Sequence, residues 1–176
     1  MTIKGYTIWG VIYLGLSFLF TKAFYNKARL IRIPFRGRRF SKIIGMVGLT
    51  TGVDCRVDVF KGGKLEIGVN VQINDNVHIA CAEFVKIGNN TLIASKVYLT
   101  DHDHDINSDI PHPIDWPLKT KPLVIGDDCW IGENVAILKG VVIGNRCVVG
   151  ANSVVTKSFP DNSVIAGNPA KVIRSR

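Results

Sequence analysis

One short segment concentrates the residues of this chain that can do acid–base chemistry. Between Asp101 and Pro122 the sequence holds five aspartates, three histidines and four prolines, and the segment opens with "DHDHD". Histidine is the side chain whose unperturbed pKa suits proton removal near neutral pH, so His102 and His104 are candidate general bases. A hydroxyl is a poor nucleophile until a base takes its proton, and once activated it attacks a thioester directly. The segment is therefore typical of a site that activates a hydroxyl.

Two other interpretations of the same residues stay open. His102 and His104 could ligate a metal, because His-x-His does so in zinc enzymes, with His78 or His112 as a third imidazole. Alternatively, "DHDHDINSD" is a solvated turn with no chemical role. The spacing of the histidines alone does not decide between a base, a metal site and an inert turn.

The segment interrupts a repeat of six residues. From residue 125 onward the chain reads "IGDDCW IGENVA ILKGVV IGNRCV VGANSV VTKSFP", with an aliphatic residue in every first place. A helix cannot put every sixth residue on one face, because six steps of 100° are not a whole number of turns. Three short strands joined by turns can, with glycine supplying backbone freedom at each turn. Cys129 and Cys147, 18 residues apart in the inward fifth place, should stack in the core as small hydrophobes.

The same pattern runs earlier, from Ile67 and from Ile87, and fainter units reach back to Val53. Three sixes make one coil of 18 residues, and successive coils stack as parallel strands about 4.8 Å apart. The sequence therefore predicts an all-β solenoid over residues 43–167, with the loop 101–122 extruded from it and a tail at 168–176. Because a solenoid side is flat, a binding site needs such a loop or a neighbouring subunit.

The N-terminal segment, residues 1–42, has a different composition. Residues 1–53 contain nine Lys or Arg and no acid, so the net charge of +8 arises there, and the solenoid is almost neutral. A nucleic-acid surface is usually basic on the folded domain, so the charge pattern does not favour nucleic acid as a partner. The absence of a small-x-small cleavage site after the apolar run also fits poorly with a cleaved signal peptide.

This segment is expected to form a helix. Its apolar run, Ile8 to Phe20, has 13 residues, short of the roughly 20 that a membrane-crossing helix needs, although extension to Phe24 leaves a span open. Eight basic residues follow before the first acid at Asp54. An apolar helix beside a basic cluster favours an interfacial anchor on an anionic cytoplasmic leaflet. The alternative is a helix that packs on the domain or on a neighbouring subunit.

Several stretches resemble one family. "QINDNVHIA", "TLIASKVYLTDHDHD", "CWIGENVAIL" and "VGANSVVTKSFPDNSVIAGNPAKVIR" are similar to the hexapeptide-repeat acetyltransferases, closest to the O-acetyltransferases of O-antigen and capsule biosynthesis and similar to the galactoside and maltose enzymes. The resemblance covers about residues 50–174. It implies a left-handed parallel β-helix, whose handedness departs from the usual right-handed crossover. It also implies acetyl-CoA as donor, no metal, and a homotrimer with its active sites between subunits.

The resemblance also implies roles for particular residues. His104 matches the catalytic histidine, and His102 is the second candidate because "DHDH" allows a slip of two residues. Asn74 and Asp101 are expected at the acceptor, although Asn74 could equally be a turn residue. The residues that match coenzyme A contacts are Ala94, Trp130, Ala151, Thr156, Lys157, Lys171 and Arg174.

The expected function is transfer of an acetyl group to a sugar hydroxyl in O-antigen or capsule biosynthesis. The apolar, basic residues 1–42 stand where the galactoside enzymes carry an acceptor-binding segment, so the acceptor here could be lipid-linked, at the cytoplasmic face of the membrane. A small soluble sugar or a nucleotide sugar is the alternative acceptor. A zinc carbonic anhydrase and a non-catalytic β-helical scaffold are the rival classes of protein.

Overall fold

The structure, a computed structural model, describes residues 2–3, 6–39 and 42–176. Of the predicted segment 1–42, residues 1, 4, 5, 40 and 41 lie outside this description, as do the side chains of residues 2, 3, 6, 38 and 39. The described chain forms a parallel β-solenoid preceded by one α-helix, as the six-residue repeat predicts.

The solenoid has three faces, here called A, B and C, which the chain visits in that order. Face A contains Leu30–Ile31, Thr50–Thr51, Gln72–Ile73, Leu92–Ile93, Trp130–Ile131, Val148–Val149, Ser163–Gly167 and the antiparallel Ala170–Ser175. Face B contains Phe35–Arg39, Cys55–Val59, His78–Cys81, Tyr98–Thr100, Ala136–Ile137 and Val154–Val155. Face C contains Lys42–Gly45, Lys64–Ile67, Phe84–Ile87, Leu123–Ile125 and Val142–Ile143. The first coil thus already uses strands that precede residue 43.

Inward aliphatic residues build the core, one from the two-residue strands and two from longer strands such as Lys64–Ile67, which buries Leu65 and Ile67. Ile125 pairs with Ile143, 18 positions later, whereas Ile67 pairs with Ile87, 20 positions later. The core side chains are almost all fully buried, and Cys129 and Cys147 are among them, as the repeat predicts. Burial raises the pKa of the Cys129 thiol to about 11, so this side chain behaves as a small neutral group.

The corners differ from the expectation in how they turn. The residues with positive φ at the A–B and C–A corners are mostly Asn or Asp, such as Asn90 with φ of 53° and Asn134 with φ of 56°. Their short polar side chains tolerate the left-handed conformation. The repeat glycines serve close approach between coils instead. At Gly88, a Cβ atom would lie 2.4 Å from the carbonyl oxygen of Gly126 in the next coil.

The loop 101–122 leaves the solenoid at the B–C corner. Ile87 pairs with Ile125, 38 positions later, so the loop lengthens one coil without disturbing the stacking of its neighbours. Within it, His102–His104 pairs antiparallel with Leu118–Thr120, and a 3₁₀ helix covers Pro113–Asp115. This short hairpin was not predicted from the sequence, although the extrusion itself was.

The α-helix spans Ile8–Phe24 and follows an antiparallel pair of two-residue strands, Thr2–Ile3 and Tyr6–Thr7. Thr7 caps it, because its hydroxyl accepts a hydrogen bond of 3.1 Å from the backbone N–H of Gly10. Among the residues described, no helix combines the length and the apolar content needed to cross a membrane.

Candidate active site

A cleft of about 390 Å³ lies on face B beside the B–C corner. It is lined by Tyr98, Thr100, His102, Asp103, His104, Leu138 and Lys139. The two candidate bases therefore share one cleft, built where the loop 101–122 leaves face B. The sequence analysis did not identify Tyr98, Thr100 or Lys139 as site residues. The repeat does place Lys139 one coil above the start of the loop, at the same corner.

His104 is held in a defined tautomer. Its Nδ1 lies 3.1 Å from the backbone carbonyl oxygen of Trp116, and a carbonyl only accepts, so Nδ1 carries the proton. The remaining nitrogen, Nε2, is then the lone-pair acceptor. The side chain is exposed at the cleft. A neutral imidazole with Nε2 open to the cleft is the form that a general base requires.

His102 lies deeper than His104. Its side chain is 12% exposed, its Nδ1 is 2.9 Å from Asp101 Oδ1, and its ring meets the ring of Phe60 edge-on at 5.1 Å between centroids. The geometry therefore gives His102 a firmly oriented ring and much less access to a ligand than His104 has.

Asp101 is fully buried beneath the cleft. Oδ1 accepts from the N–H of Ala82, and Oδ2 accepts from the N–H groups of Glu83 and Phe84, each at 2.8 Å. Burial raises the pKa of this carboxyl, but the hydrogen bonds from His102 and the three amides outweigh it and hold the pKa below its usual value. Direct contact with an acceptor would require these bonds to break, so the structure places Asp101 as a positioning residue.

One ion pair ties the loop to the solenoid, and a second pair lies within the loop. Lys139 Nζ contacts Asp103 Oδ1, which ties the loop to the next coil. Lys119 Nζ lies 2.7 Å from Asp105 Oδ1 across the hairpin. The loop is therefore braced at its base, close to the histidines, and this bracing preserves the shape of the cleft.

The other predicted site residues fall into two groups at different corners of the solenoid. Thr156 and Lys157 lie at the B–C corner, like His104, and Lys157 Nζ is 5.8 Å from the centroid of the Phe159 ring. The second group lies at the A–B corner or on face A: Asn74, Ala94, Trp130, Ala151, Lys171 and Arg174. A side of six residues spans about 20 Å, so one chain does not bring the two groups together.

The metal interpretation finds no support in the geometry. Within residues 2–3, 6–39 and 42–176 there is no group of three or more His, Cys, Asp or Glu side chains placed to hold a metal ion. His78, considered as a third imidazole, lies on face B with Nε2 3.1 Å from Asp58 Oδ2, and His112 is exposed on the loop.

Comparison with known proteins gives the class. Residues 122–157 match the family model for "Bacterial transferase hexapeptide (six repeats)". The chain is 47% identical over 178 residues to "Putative lipopolysaccharide biosynthesis O-acetyl transferase WbbJ" of Escherichia coli K12, covering 97% of this chain and 91% of that protein. It is 34% identical over 150 residues to the galactoside O-acetyltransferase of the same organism, covering 85% and 73% of the two chains.

A solved structure agrees with the sequence relatives. The hexapeptide-repeat acetyltransferase VCA0836 of Vibrio cholerae O1 biovar eltor, in complex with acetyl-CoA, superposes with a TM-score of 0.63 at 28% identity, covering 92% of this chain and 76% of that one. The predicted left-handed parallel β-helix is confirmed. The protein is a hexapeptide-repeat transferase by fold and by sequence. Within that class, the chain belongs to the hexapeptide-repeat acetyltransferases, which use acyl-CoA donors.

Proposed function

We propose that this enzyme transfers an acetyl group from acetyl-CoA to a sugar hydroxyl during synthesis of a surface polysaccharide such as O-antigen or capsule. The observation that carries the chemistry is the His104 ring, whose Nδ1 donates to the carbonyl of Trp116 and whose Nε2 is thereby left as an acceptor in the cleft. The name of the 47% identical WbbJ supports the polysaccharide, and the galactoside enzyme supports a soluble sugar as the alternative.

The reaction follows from this geometry. His104 Nε2 takes the proton of the acceptor hydroxyl as its oxygen attacks the thioester carbonyl carbon. The carbonyl becomes a tetrahedral oxyanion, which backbone N–H groups stabilise. Collapse of the oxyanion breaks the carbon–sulfur bond, and the leaving thiolate of coenzyme A takes the proton from the imidazolium. The side chain returns to its starting form, and no covalent enzyme intermediate forms.

The complete site is proposed to lie between subunits of a homotrimer. His104, Thr156 and Lys157 lie at the B–C corner, whereas Asn74 and the other predicted contacts lie at the A–B corner or on face A. The loop also exposes apolar side chains, with Ile114 at 86%. A neighbouring copy that packs against face B and the loop would cover these side chains and supply the missing half of the site.

The proposed place of action is the cytoplasmic face of a membrane. Acetyl-CoA is a cytosolic donor, and the basic residues 1–42 favour an anionic cytoplasmic leaflet. A lipid-linked glycan would be presented to the cleft at that surface.

The test is an acceptor screen with purified protein and acetyl-CoA, with release of coenzyme A and acetylation of the glycan measured together. The unaltered enzyme should acetylate at least one surface-polysaccharide precursor or small sugar. His104→Ala should lower the rate by about 10²- to 10⁴-fold with the fold intact. His112→Ala, an exposed loop histidine outside the cleft, is the matched control and should retain full activity.

His102→Ala is compared in the same assay. A loss confined to His102→Ala would move the base to His102. Full activity in both cleft variants would remove histidine base catalysis from the proposal.

A further inference from the structure

The helix Ile8–Phe24 packs on the solenoid through its polar side. Thr21 Oγ1 accepts a 2.7 Å hydrogen bond from the N–H of Ile31, and Ser17 Oγ accepts one of 3.4 Å from the N–H of Ile33. Tyr13 donates its hydroxyl to the Ile33 carbonyl at 2.6 Å. Ser17 and Thr21 are both fully buried. The helix therefore contacts the first coil through hydroxyl groups four residues apart, together with the partly buried Phe20.

The apolar side of the same helix points away from the protein. Its outer face consists of Ile8, Trp9, Ile12, Leu16 and Leu19, which fall within about 100° of one another around the axis. All five are exposed, Trp9 at 75% and Leu19 at 65%. A surface helix of a soluble domain normally turns such a stripe toward the core. In this helix the apolar stripe faces the solvent instead. A contiguous exposed apolar face of this kind marks an interaction surface.

The charges beside the outer face have one sign. Residues 1–53 contain no Asp or Glu, and Lys22, Lys27, Arg29 and Arg36 are exposed near the helix and the first coil. Among the described residues, none of these four forms an ion pair with a carboxylate. The natural partner therefore combines an apolar layer with negative charge.

We propose that the outer face of the helix rests in the boundary between headgroups and acyl chains of an anionic membrane, with the nearby lysines and arginines on the lipid headgroups. A helix of 17 residues is about 25 Å long, which suits a helix lying in the plane of the interface. A second copy of this chain fits the charges less well, because it would bring the same uncompensated cations to the contact. The inference deepens the proposed function by naming the surface that would bring the enzyme to a lipid-linked acceptor, and it does not depend on the chemistry of His104.

The test is flotation of the full chain with two kinds of vesicle, phosphatidylcholine alone and phosphatidylcholine with phosphatidylglycerol. The unaltered protein should float with the anionic vesicles and do so less with the neutral ones. Leu16→Gln combined with Leu19→Gln should weaken binding to both vesicles by about tenfold or more. Lys22→Gln combined with Lys27→Gln should weaken binding about tenfold on anionic vesicles and leave the neutral ones unaffected.

The matched control is Val69→Gln combined with Val142→Gln, which removes two exposed apolar side chains from the solenoid and should float like the unaltered protein. Circular dichroism and acetyl transfer to a soluble acceptor, both expected to be unchanged, show that the variants are folded. Flotation of the leucine variant at full strength would overturn the inference. So would loss of trimers in that variant, because a second copy would then be what covers the helix. Flotation without acetyl transfer in any form would defeat the proposed function and leave the membrane surface standing.

Discussion

Asp101 connects the loop that carries both histidines to the coil beneath it. Its two oxygens accept from the amides of Ala82, Glu83 and Phe84 and from the ring of His102. One buried carboxylate thus accepts from three backbone amides and also fixes the orientation of an imidazole in the cleft. One residue thereby sets both local stability and the position of the site.

The first prediction concerns the stability of this arrangement. Asp101→Asn puts an amide NH₂ where an oxygen accepts from backbone N–H groups, so the free energy of unfolding should fall by about 3 kcal/mol at pH 7. The folded-state pKa of Asp101 is lowered, so its contribution is present above the unfolded-state value of about 3.9 and is lost as the pH falls through the folded value.

Thermal unfolding between pH 3 and pH 7 measures the effect. The gap between the unaltered protein and Asp101→Asn should narrow toward pH 3, and Asp109→Asn, at an exposed position of the same loop, should change little. A gap that stays constant with pH would show that the carboxylate charge is not what stabilises the corner.

Lys157 gives a second prediction, for the donor. It lies at the same corner as His104, where an ammonium can meet a phosphate of coenzyme A. Lys157→Ala should raise the KM for acetyl-CoA about tenfold or more with a smaller change in kcat. Lys61→Ala, an exposed lysine at the same corner nearer the N-terminus, should leave KM unchanged. Initial rates over a range of acetyl-CoA concentrations give both constants, and equal KM values in all three proteins would remove Lys157 from the donor site.

At the scale of the elements, glycine allows the backbones of successive coils to approach each other closely. A Cβ at position 88 would meet the backbone oxygen of Gly126 at 2.4 Å, whereas one at position 15 in the helix would meet nothing within 4 Å. Gly88→Ala should therefore cost about 1–3 kcal/mol through overpacking, and Gly15→Ala should gain up to about 1 kcal/mol through helix propensity. Chemical denaturation of the two variants checks the pair, and a neutral Gly88→Ala would mean that the coils can separate locally at no cost.

The sequence predicts the coils well because each side of a coil must bury at least one aliphatic residue, and this requirement appears as the period of six at Ile125, Ile131 and Ile137. It also locates the loop, since 22 residues without the rhythm cannot enter the core. The hairpin formed by His102–His104 and Leu118–Thr120 escapes prediction because its stability rests on pairing across the loop and on ion pairs, not on a periodic pattern.

The side on which the helix packs was equally out of reach. An apolar run normally predicts an apolar contact, whereas here Ser17 and Thr21 make the contact by satisfying backbone groups of the first coil. Of the candidate site, the two histidines of the cleft could be found by residue type. The predicted acceptor and coenzyme A contacts lie at two different corners. That separation depends on the order of the three faces, which an alignment of sequences does not show.

At the scale of the whole molecule, the distance between His104 and the A–B corner of the same chain predicts active sites that are shared between subunits. If His104 of one subunit works with the A–B corner of its neighbour, two inactive variants can repair each other. His104→Ala and Ala151→Glu, each inactive alone, should recover about a quarter of normal activity when their trimers assemble from an equal mixture, because one interface in four then holds both intact halves. Each variant unfolded and refolded alone is the control. No recovery in verified mixed trimers would place the whole site within one chain.

The two ends of the solenoid have a consequence for self-association. A stack of parallel strands ends in unpaired backbone groups, which form a template for another chain. At one end the hydroxyls of Thr21 and Ser17 accept hydrogen bonds from backbone N–H groups of the first coil, those of Ile31 and Ile33. At the other end Ala170–Ser175 turns back antiparallel and presents Lys171 and Arg174 to the solvent. Both terminal elements therefore block the addition of further strands at the ends of the solenoid. A chain ending before residue 168 exposes the strands at one end only, so it should associate in end-to-end pairs, visible by electron microscopy, even with every coil intact.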